Sequence, residues 1–198
     1  MSPVSPARID EVLRDARARV VRAGLEHADA ELLLAHVLGK SRSWLYAHSD
    51  DALADDIATR YAQILDRRIA GEPLAYLTGR KGFWRFELHV TPDTLIPRPE
   101  TELLVELALA HLPRDRPIRV ADLGTGSGAI ALALAYERPR ARVVATDTSA
   151  DALVIARANA QRLALSNVEF LAADWYSGVP AAHFDLIASN PPYVESRD

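Results

Sequence analysis

The chain has 198 residues, 49% of them hydrophobic and 25% charged, with a formal net charge of −4. That is the composition of a soluble globular protein of one large or two small domains, and it excludes a disordered tail or a coiled coil as the whole chain. Cysteine is absent, so disulfide scaffolds, cysteine nucleophiles and thiolate metal sites are excluded, and the six histidines are scattered with none at metal-ligand spacing, as expected of surface or core residues rather than ligands.

Residues 6–23 place Ile9, Val12, Leu13, Ala16 and Val20 at three- and four-residue spacings, which predicts a helix with Ser5-Pro6 as its start and Gly24 as its stop. A second helix is predicted over 28–38, burying Leu32, Leu33, Leu34 and Val37 and ending at Gly39. Ser41 opens a short turn through Trp44, Leu45 and Tyr46, and a further helix fits 55–70. The texture changes at Glu72-Pro73, where the aromatic, partly alternating run 82–90 reads as a hairpin. Ile96-Pro97-Arg98-Pro99 is extended because each proline disfavours helix in the residue before it. Helical spacing resumes over 100–111.

From Pro117 onward strands and helices alternate. Strands are predicted at 118–123, 142–146, 168–171 and 184–188, with helices at 128–136 and 150–164. This order implies a parallel sheet with crossover helices. The expected organisation is a helical domain at 1–72, a β-hairpin linker at 73–97 and an α/β domain at 98–198. Residues 1–72 carry 10 basic and 12 acidic side chains, 73–98 carry 4 and 2, and 99–198 carry 9 and 13. The α/β part is therefore acidic, which argues against a groove built to grip duplex nucleic acid. The apolar stretches fall short of the roughly 20 residues of a membrane span, and a charged amphipathic segment follows Pro6 directly, so a cytoplasmic protein is expected.

Asp122-Leu123-Gly124-Thr125-Gly126-Ser127-Gly128-Ala129 stands at a strand-to-helix junction, where glycines allow a tight turn and close approach of a nucleotide-type ligand. Asp147 ends the next strand, 23 residues after Gly124, where a carboxylate can accept both hydroxyls of a ribose. Asp122 would repel a pyrophosphate but attract a ligand carrying an ammonium and a sulfonium, which favours S-adenosylmethionine over NAD. Asp174-Trp175, after the third strand of the sheet, suits an adenine, with Asp174 accepting from its amine and Trp175 covering the ring.

Ser189-Asn190-Pro191-Pro192-Tyr193 follows the fourth strand of the sheet. An amide or exocyclic amino nitrogen is a poor nucleophile because its lone pair is delocalised. The side-chain oxygen of Asn190 and the carbonyl of Pro191 can each accept one of its N–H groups and aim the developing lone pair at a methyl group. Pro191 and Pro192 stiffen the loop, and Tyr193 can stack on a planar acceptor. The expected catalytic residues are Asn190, Pro191 and Tyr193, and the expected acceptor site is Asn190, Pro191, Pro192 and Tyr193.

These motifs, with residues 71–79, the Phe83-Trp84 hairpin and residues 95–102, make the chain resemble the release-factor glutamine N5-methyltransferases, the PrmC/HemK family, over essentially its whole length. The resemblance implies a class I S-adenosylmethionine-dependent methyltransferase fold, a Rossmann-like parallel sheet preceded by a small helical domain that helps recognise the substrate. It implies methylation of the glutamine of the Gly-Gly-Gln motif in class 1 peptide release factors, with no metal and no stable nucleic-acid partner, by a monomer. Donor-site roles then fall on Asp122, Gly124, Thr125, Gly126, Ser127, Gly128, Asp147, Asp174, Trp175 and Asn190. A class I domain has about three further strands after the Asn-Pro-Pro-Tyr loop, whereas this sequence stops five residues beyond it, so the methyltransferase domain is expected to be incomplete. Competing readings are an N6-adenine methyltransferase on DNA or RNA, a non-catalytic S-adenosylmethionine-binding module, and an NAD-dependent oxidoreductase, which Asp122 disfavours.

Overall fold

The computed structural model describes residues 7–177, 179 and 183–191, and the chain divides after Thr78 into two compact units. The first contains α1 (Ile9–Arg22), α2 (His27–Leu38), α3 (Arg42–Ala47), α4 (Asp55–Ile69) and α5 (Leu74–Thr78). In α1 the buried residues Ile9, Leu13, Ala16 and Val20 form one stripe, the spacing of a helix packed on one side. Its N-cap is Arg8, whose backbone N–H donates to the Glu11 carboxylate at 3.2 Å. The expected Ser5-Pro6 start lies outside the described residues. Gly39 closes α2 in the left-handed region at φ 64°. The Ser41 hydroxyl accepts the Trp44 N–H at 3.1 Å, and this cap makes a helix of what the sequence suggested was only a turn.

The buried face of α2 differs from the expected one. Leu33 and Leu34 are buried, but Leu32 and Val37 are only half-buried, and Asp29, Ala30 and Glu31 are buried with them. The physical reason is ion pairing. Glu31 accepts from Arg17 Nη2 at 2.9 Å and Arg42 Nε at 2.9 Å, and Asp29 accepts from Arg68 Nε at 2.8 Å. Burial alone would raise the pKa of Glu31, but hydrogen bonds from Arg42, Tyr46 and Arg17 outweigh it and hold the carboxyl below its ordinary value.

The second unit opens with a hairpin, β1 (Arg80–Phe83) and β2 (Phe86–His89), followed by α6 (Glu100–His111) and β3 (Ile118–Leu123). Then come α7 (Ala129–Glu137), β4 (Ala141–Asp147), α8 (Ala150–Arg162), β5 (Val168–Ala172) and β6 (Leu186–Ser189). The sheet order is β5-β4-β3-β6, and every neighbouring pair is parallel. β3 and β4 are buried along almost their whole length, as central strands covered on both faces must be. α7 buries every residue from Ala129 to Ala135, so it is a core helix rather than an amphipathic one. β6 begins later than predicted because the Asp185 carboxylate itself accepts the Arg119 N–H at 2.8 Å, taking the place of a strand partner.

The hairpin is built into this second unit. Trp84, at φ 57°, donates its backbone N–H to Glu102 at 2.8 Å and its indole N–H to Glu137 at 2.9 Å. Asn159, fully buried on α8, accepts from His89 N at 2.7 Å and donates to His89 O and Ser127 O, each at 2.9 Å. The division after Thr78 accordingly assigns α5 to the helices and the hairpin to the sheet, whereas the sequence suggested a separate linker over 73–97.

Replacing Glu31 by Ala leaves Arg17 and Arg42 facing an uncompensated buried gap. Since both guanidiniums keep access to water, we expect a loss of about 2 kcal/mol rather than the full cost of breaking a buried pair. A urea unfolding curve checks this, and an unchanged midpoint would contradict it.

Candidate active site

The strand order sets the location. The chain runs outward from β3 through β4 to β5, then returns to lay β6 on the other side of β3. The crevice beyond the carboxyl ends of β3 and β6 is thus the point where strand order reverses, the general ligand position in open parallel sheets. Leu123 pairs with both Thr146 and Ser189, so Gly124, Asp147 and Asn190 stand at the same level of the sheet, Asp147 as the last paired residue of β4.

The glycine turn is held by β4. Thr146 O accepts from Gly124 N at 2.9 Å and Thr125 N at 2.8 Å, and Asp147 Oδ2 accepts from Gly126 N at 2.8 Å. Gly128, at φ 87°, caps α7, and a Cβ there would lie 2.9 Å from Leu132 Cδ1. Both the backbone angle and the space require glycine at that position. Asp147 Oδ1 accepts from Ser149 N at 2.9 Å, so each of its oxygens also orders a backbone segment. Ser127 and Thr125 are buried within the turn.

Asp122 is fully buried at the base of the turn. Its Oδ2 accepts from the Thr125 hydroxyl at 2.6 Å and from Ala131 N at 3.1 Å, while Oδ1 has no hydrogen-bond partner among the described residues. Burial pushes its pKa up to about 6; the two hydrogen bonds pull it back only partly, and the charge of Asp147 adds to the rise. A buried carboxylate with one unpaired oxygen is an acceptor awaiting a donor or a cation.

Asn190 follows β6 and is half-buried. Its Nδ2 donates to Thr101 Oγ1 at 2.9 Å, and the preceding Ser189 donates its hydroxyl to Leu123 O at 2.8 Å. Asn190 and Pro191 line a cavity of about 340 Å³ with Leu95, Arg98, Glu100, Thr101 and Leu104. Asp174 and Trp175 lie beyond β5 and are exposed, Trp175 at φ 50°. Pro192 and Tyr193 lie outside the described residues. Among the described residues no group of three or more His, Asp or Glu could hold a metal ion, and no helix is long and apolar enough to cross a membrane.

Two residues with a clear part in building this site escaped sequence reasoning. Asn159 interrupts the buried series Ala152, Leu153, Ala156 and Ala160 on α8, and a polar residue on an apolar face was the available signal. Thr101 belongs to the 95–102 segment that carries the family resemblance, which implies that residues 98–102 lie near the site entrance, but no local signal gives it an individual role, because its partner lies 89 residues away.

A parallel sheet with a glycine turn after its first strand, an acidic residue ending the second and Asn-Pro at the end of the fourth defines a class I S-adenosylmethionine-dependent methyltransferase domain. Residues 100–198 match the methyltransferase small domain family, and residues 11–79 match the PrmC N-terminal domain. The chain is 47% identical over 186 residues to the release factor glutamine methyltransferase of Escherichia coli strain K12, covering 94% of this chain and 67% of that protein. It is 51% identical over 176 residues to that of Bordetella pertussis, covering 88% and 65%. The chain therefore belongs to the release factor glutamine methyltransferase family and spans about two thirds of the length of these relatives. Among solved structures, it is similar to the Thermus thermophilus 16S rRNA N2 G1207 methyltransferase in complex with AdoMet and guanosine. That likeness has a TM-score of 0.51 at 26% identity and covers 59% of this chain and 33% of that one.

Asp122 makes stability depend on pH in a defined direction. Its folded pKa lies above its ordinary value of 3.8, so between the two the folded state binds the proton more strongly and stability falls as pH rises, the loss being complete above about 6. Asp122→Asn keeps an acceptor for Thr125 and Ala131 but does not ionise. Urea midpoints of the two proteins should separate from about pH 4 to about pH 7, the Asn form gaining up to about 3 kcal/mol; parallel midpoints would contradict this.

Proposed function

We propose that the methyl acceptor is the side-chain amide nitrogen of the glutamine in the Gly-Gly-Gln motif of class 1 peptide release factors, with S-adenosylmethionine as donor. The observation that carries this reading is Asn190. It stands at the end of β6 beside the glycine turn, on the wall of a cavity, with its Nδ2 engaged by Thr101 and its Oδ1 at the opposite end of the carboxamide. Oδ1 and the carbonyl of Pro191 accept the two N–H groups of the glutamine amide. This draws electron density toward the nitrogen and orients it toward the methyl group. The nitrogen becomes acidic only as it gains the methyl, so the proton leaves during or after transfer and no base need act beforehand. Pro192 and Tyr193 complete the acceptor site, with Tyr193 stacking on the planar amide.

On the donor side, the backbone of Gly124, Thr125, Gly126, Ser127 and Gly128 faces the methionine and ribose portions. Asp147 retains lone pairs for the ribose hydroxyls after ordering Gly126 and Ser149. The unpaired oxygen of Asp122 supplies negative charge toward the ammonium and sulfonium, and Asp174 and Trp175 contact the adenine. The partner is a release factor, recognised with the help of the helical unit. The enzyme works as a cytoplasmic monomer, without metal and without a stable nucleic-acid partner. The chemistry of an exocyclic adenine nitrogen is similar, but the excess of acidic side chains over 99–198, 13 against 9 basic, argues against a nucleic-acid groove.

Mass spectrometry of a release factor incubated with the protein and S-adenosylmethionine tests this, the expected result being one added methyl on the Gly-Gly-Gln peptide. Methylated adenine in RNA or DNA with an unmodified release factor would overturn it. Asn190→Ala is expected to lower transfer by at least about 100-fold while donor binding, read by calorimetry, is largely retained. Equal loss of both would make Asn190 part of the donor pocket instead.

A further inference from the structure

The carboxamide of Asn190 can serve the acceptor nitrogen only in one orientation. The torsion that turns an asparagine amide is soft and roughly two-fold, so the side chain alone does not choose between presenting its oxygen or its nitrogen to the site. A presented Nδ2 would set donor against donor and repel the substrate N–H. Some neighbour must hold the amide the right way round.

We infer that Thr101 is that neighbour, a positioning residue whose Oγ accepts the Asn190 Nδ2–H at 2.9 Å and so leaves Oδ1 as the group that meets the acceptor amide. The inference rests on the reading of Asn190 given above and adds a residue to which the sequence assigned no role. The surroundings suit the task. Thr101 is only 7% exposed, so water competes little for its hydroxyl. It lies in the first turn of α6, where its own N–H donates to Arg98 O at 3.0 Å. The next residue, Glu102, accepts the backbone N–H of Trp84 at 2.8 Å, which ties the same helical turn to the hairpin. β6 is fixed from the other side by Ser189, bonded to Leu123 O at 2.8 Å. Thr101 is thus mounted on a packed helix and Asn190 directly after a packed strand, which restrains both ends of the bond as a positioning contact requires. Both residues line the same cavity, so the bond sits at the wall where an acceptor side chain would enter.

Thr101→Val keeps the branched shape and removes the acceptor, whereas Thr101→Ser keeps the acceptor and removes a methyl. We expect Thr101→Val to lower kcat by about 10- to 100-fold with the donor KM within about twofold of wild type, and Thr101→Ser to recover most of the rate. A loss confined to the donor KM, an unchanged kcat, or a folded Ser variant as slow as the Val variant would each overturn the proposal. A second measurement needs no turnover. In the protein saturated with S-adenosylhomocysteine and labelled with ¹⁵N, exchange of the Asn190 side-chain amide protons should be slowed in wild type and Thr101→Ser and accelerated in Thr101→Val. Equal exchange in all three overturns the positioning role. If wild type leaves the release factor unmodified while the exchange pattern holds, the acceptor assignment fails and the positioning contact stands.

Discussion

The ligand end of the sheet depends on one backbone arrangement, the folding of the turn after β3 onto the end of β4. A single carbonyl, Thr146 O, takes the N–H groups of both Gly124 and Thr125, and the carboxylate of the next residue takes that of Gly126. Three consecutive amides are thereby turned toward β4. The price is a backbone that repeatedly enters the left-handed region, at Gly124, Gly126 and Gly128. Only residues without a Cβ follow such a path at low cost, and at Gly128 the neighbouring Leu132 closes the space as well. α7 can start directly beneath the turn because of this path, and its apolar surround then anchors the whole segment in the core.

This arrangement places a carboxylate where water cannot reach it. Asp122 is stabilised by the Thr125 hydroxyl and the Ala131 N–H on one oxygen, while the other has no partner among the described residues. Burial without full satisfaction is costly, and proteins retain such groups chiefly where function uses them. A cationic ligand beside the unpaired oxygen would lower the pKa of Asp122 back toward the ordinary range and regain part of the stability lost to burial. Ligand binding and folding are then coupled through the same side chain.

The two units are organised by different physics. In the helical unit an apolar stripe on α1 meets α2, whose buried side is shared between leucines and two carboxylates paired with arginines. In the sheet unit, β3 and β4 are buried on both faces and α7 is buried along Ala129–Ala135, so the interior is largely apolar, with Asp122, Thr146 and Asn159 among its buried polar exceptions. The hairpin joins that interior by burying Phe83 and Leu88 and through polar contacts as well. Asn159 satisfies both backbone groups of His89 and, with the same amide nitrogen, a carbonyl of the glycine turn. A single buried carboxamide therefore links the hairpin, α8 and the ligand turn.

Local chemistry made much of this legible in the sequence. Periodicity located the helices, apolar runs between turn residues located the parallel strands, and the glycine spacing with Asp122, Asp147 and Asn-Pro pointed to a methyl-donor site. Each of those signals lies within a few residues of chain, where sterics and hydrogen bonding act directly on neighbours. What the sequence did not show has a common origin in long-range pairing. Leu32 and Val37 lost their place in the interior to Asp29 and Glu31 because arginines on other helices neutralise those carboxylates. The hairpin belongs to the sheet unit because of Trp84, Glu102, Glu137 and Asn159, residues that no spacing rule connects. The sequence by itself determined most of the elements that form and the family to which the chain belongs. Only the tertiary structure decided how the carboxamide of Asn190 is held, since Thr101 reaches it across 89 residues of chain, and a hydrogen bond over that separation exists only once the sheet and α6 have packed.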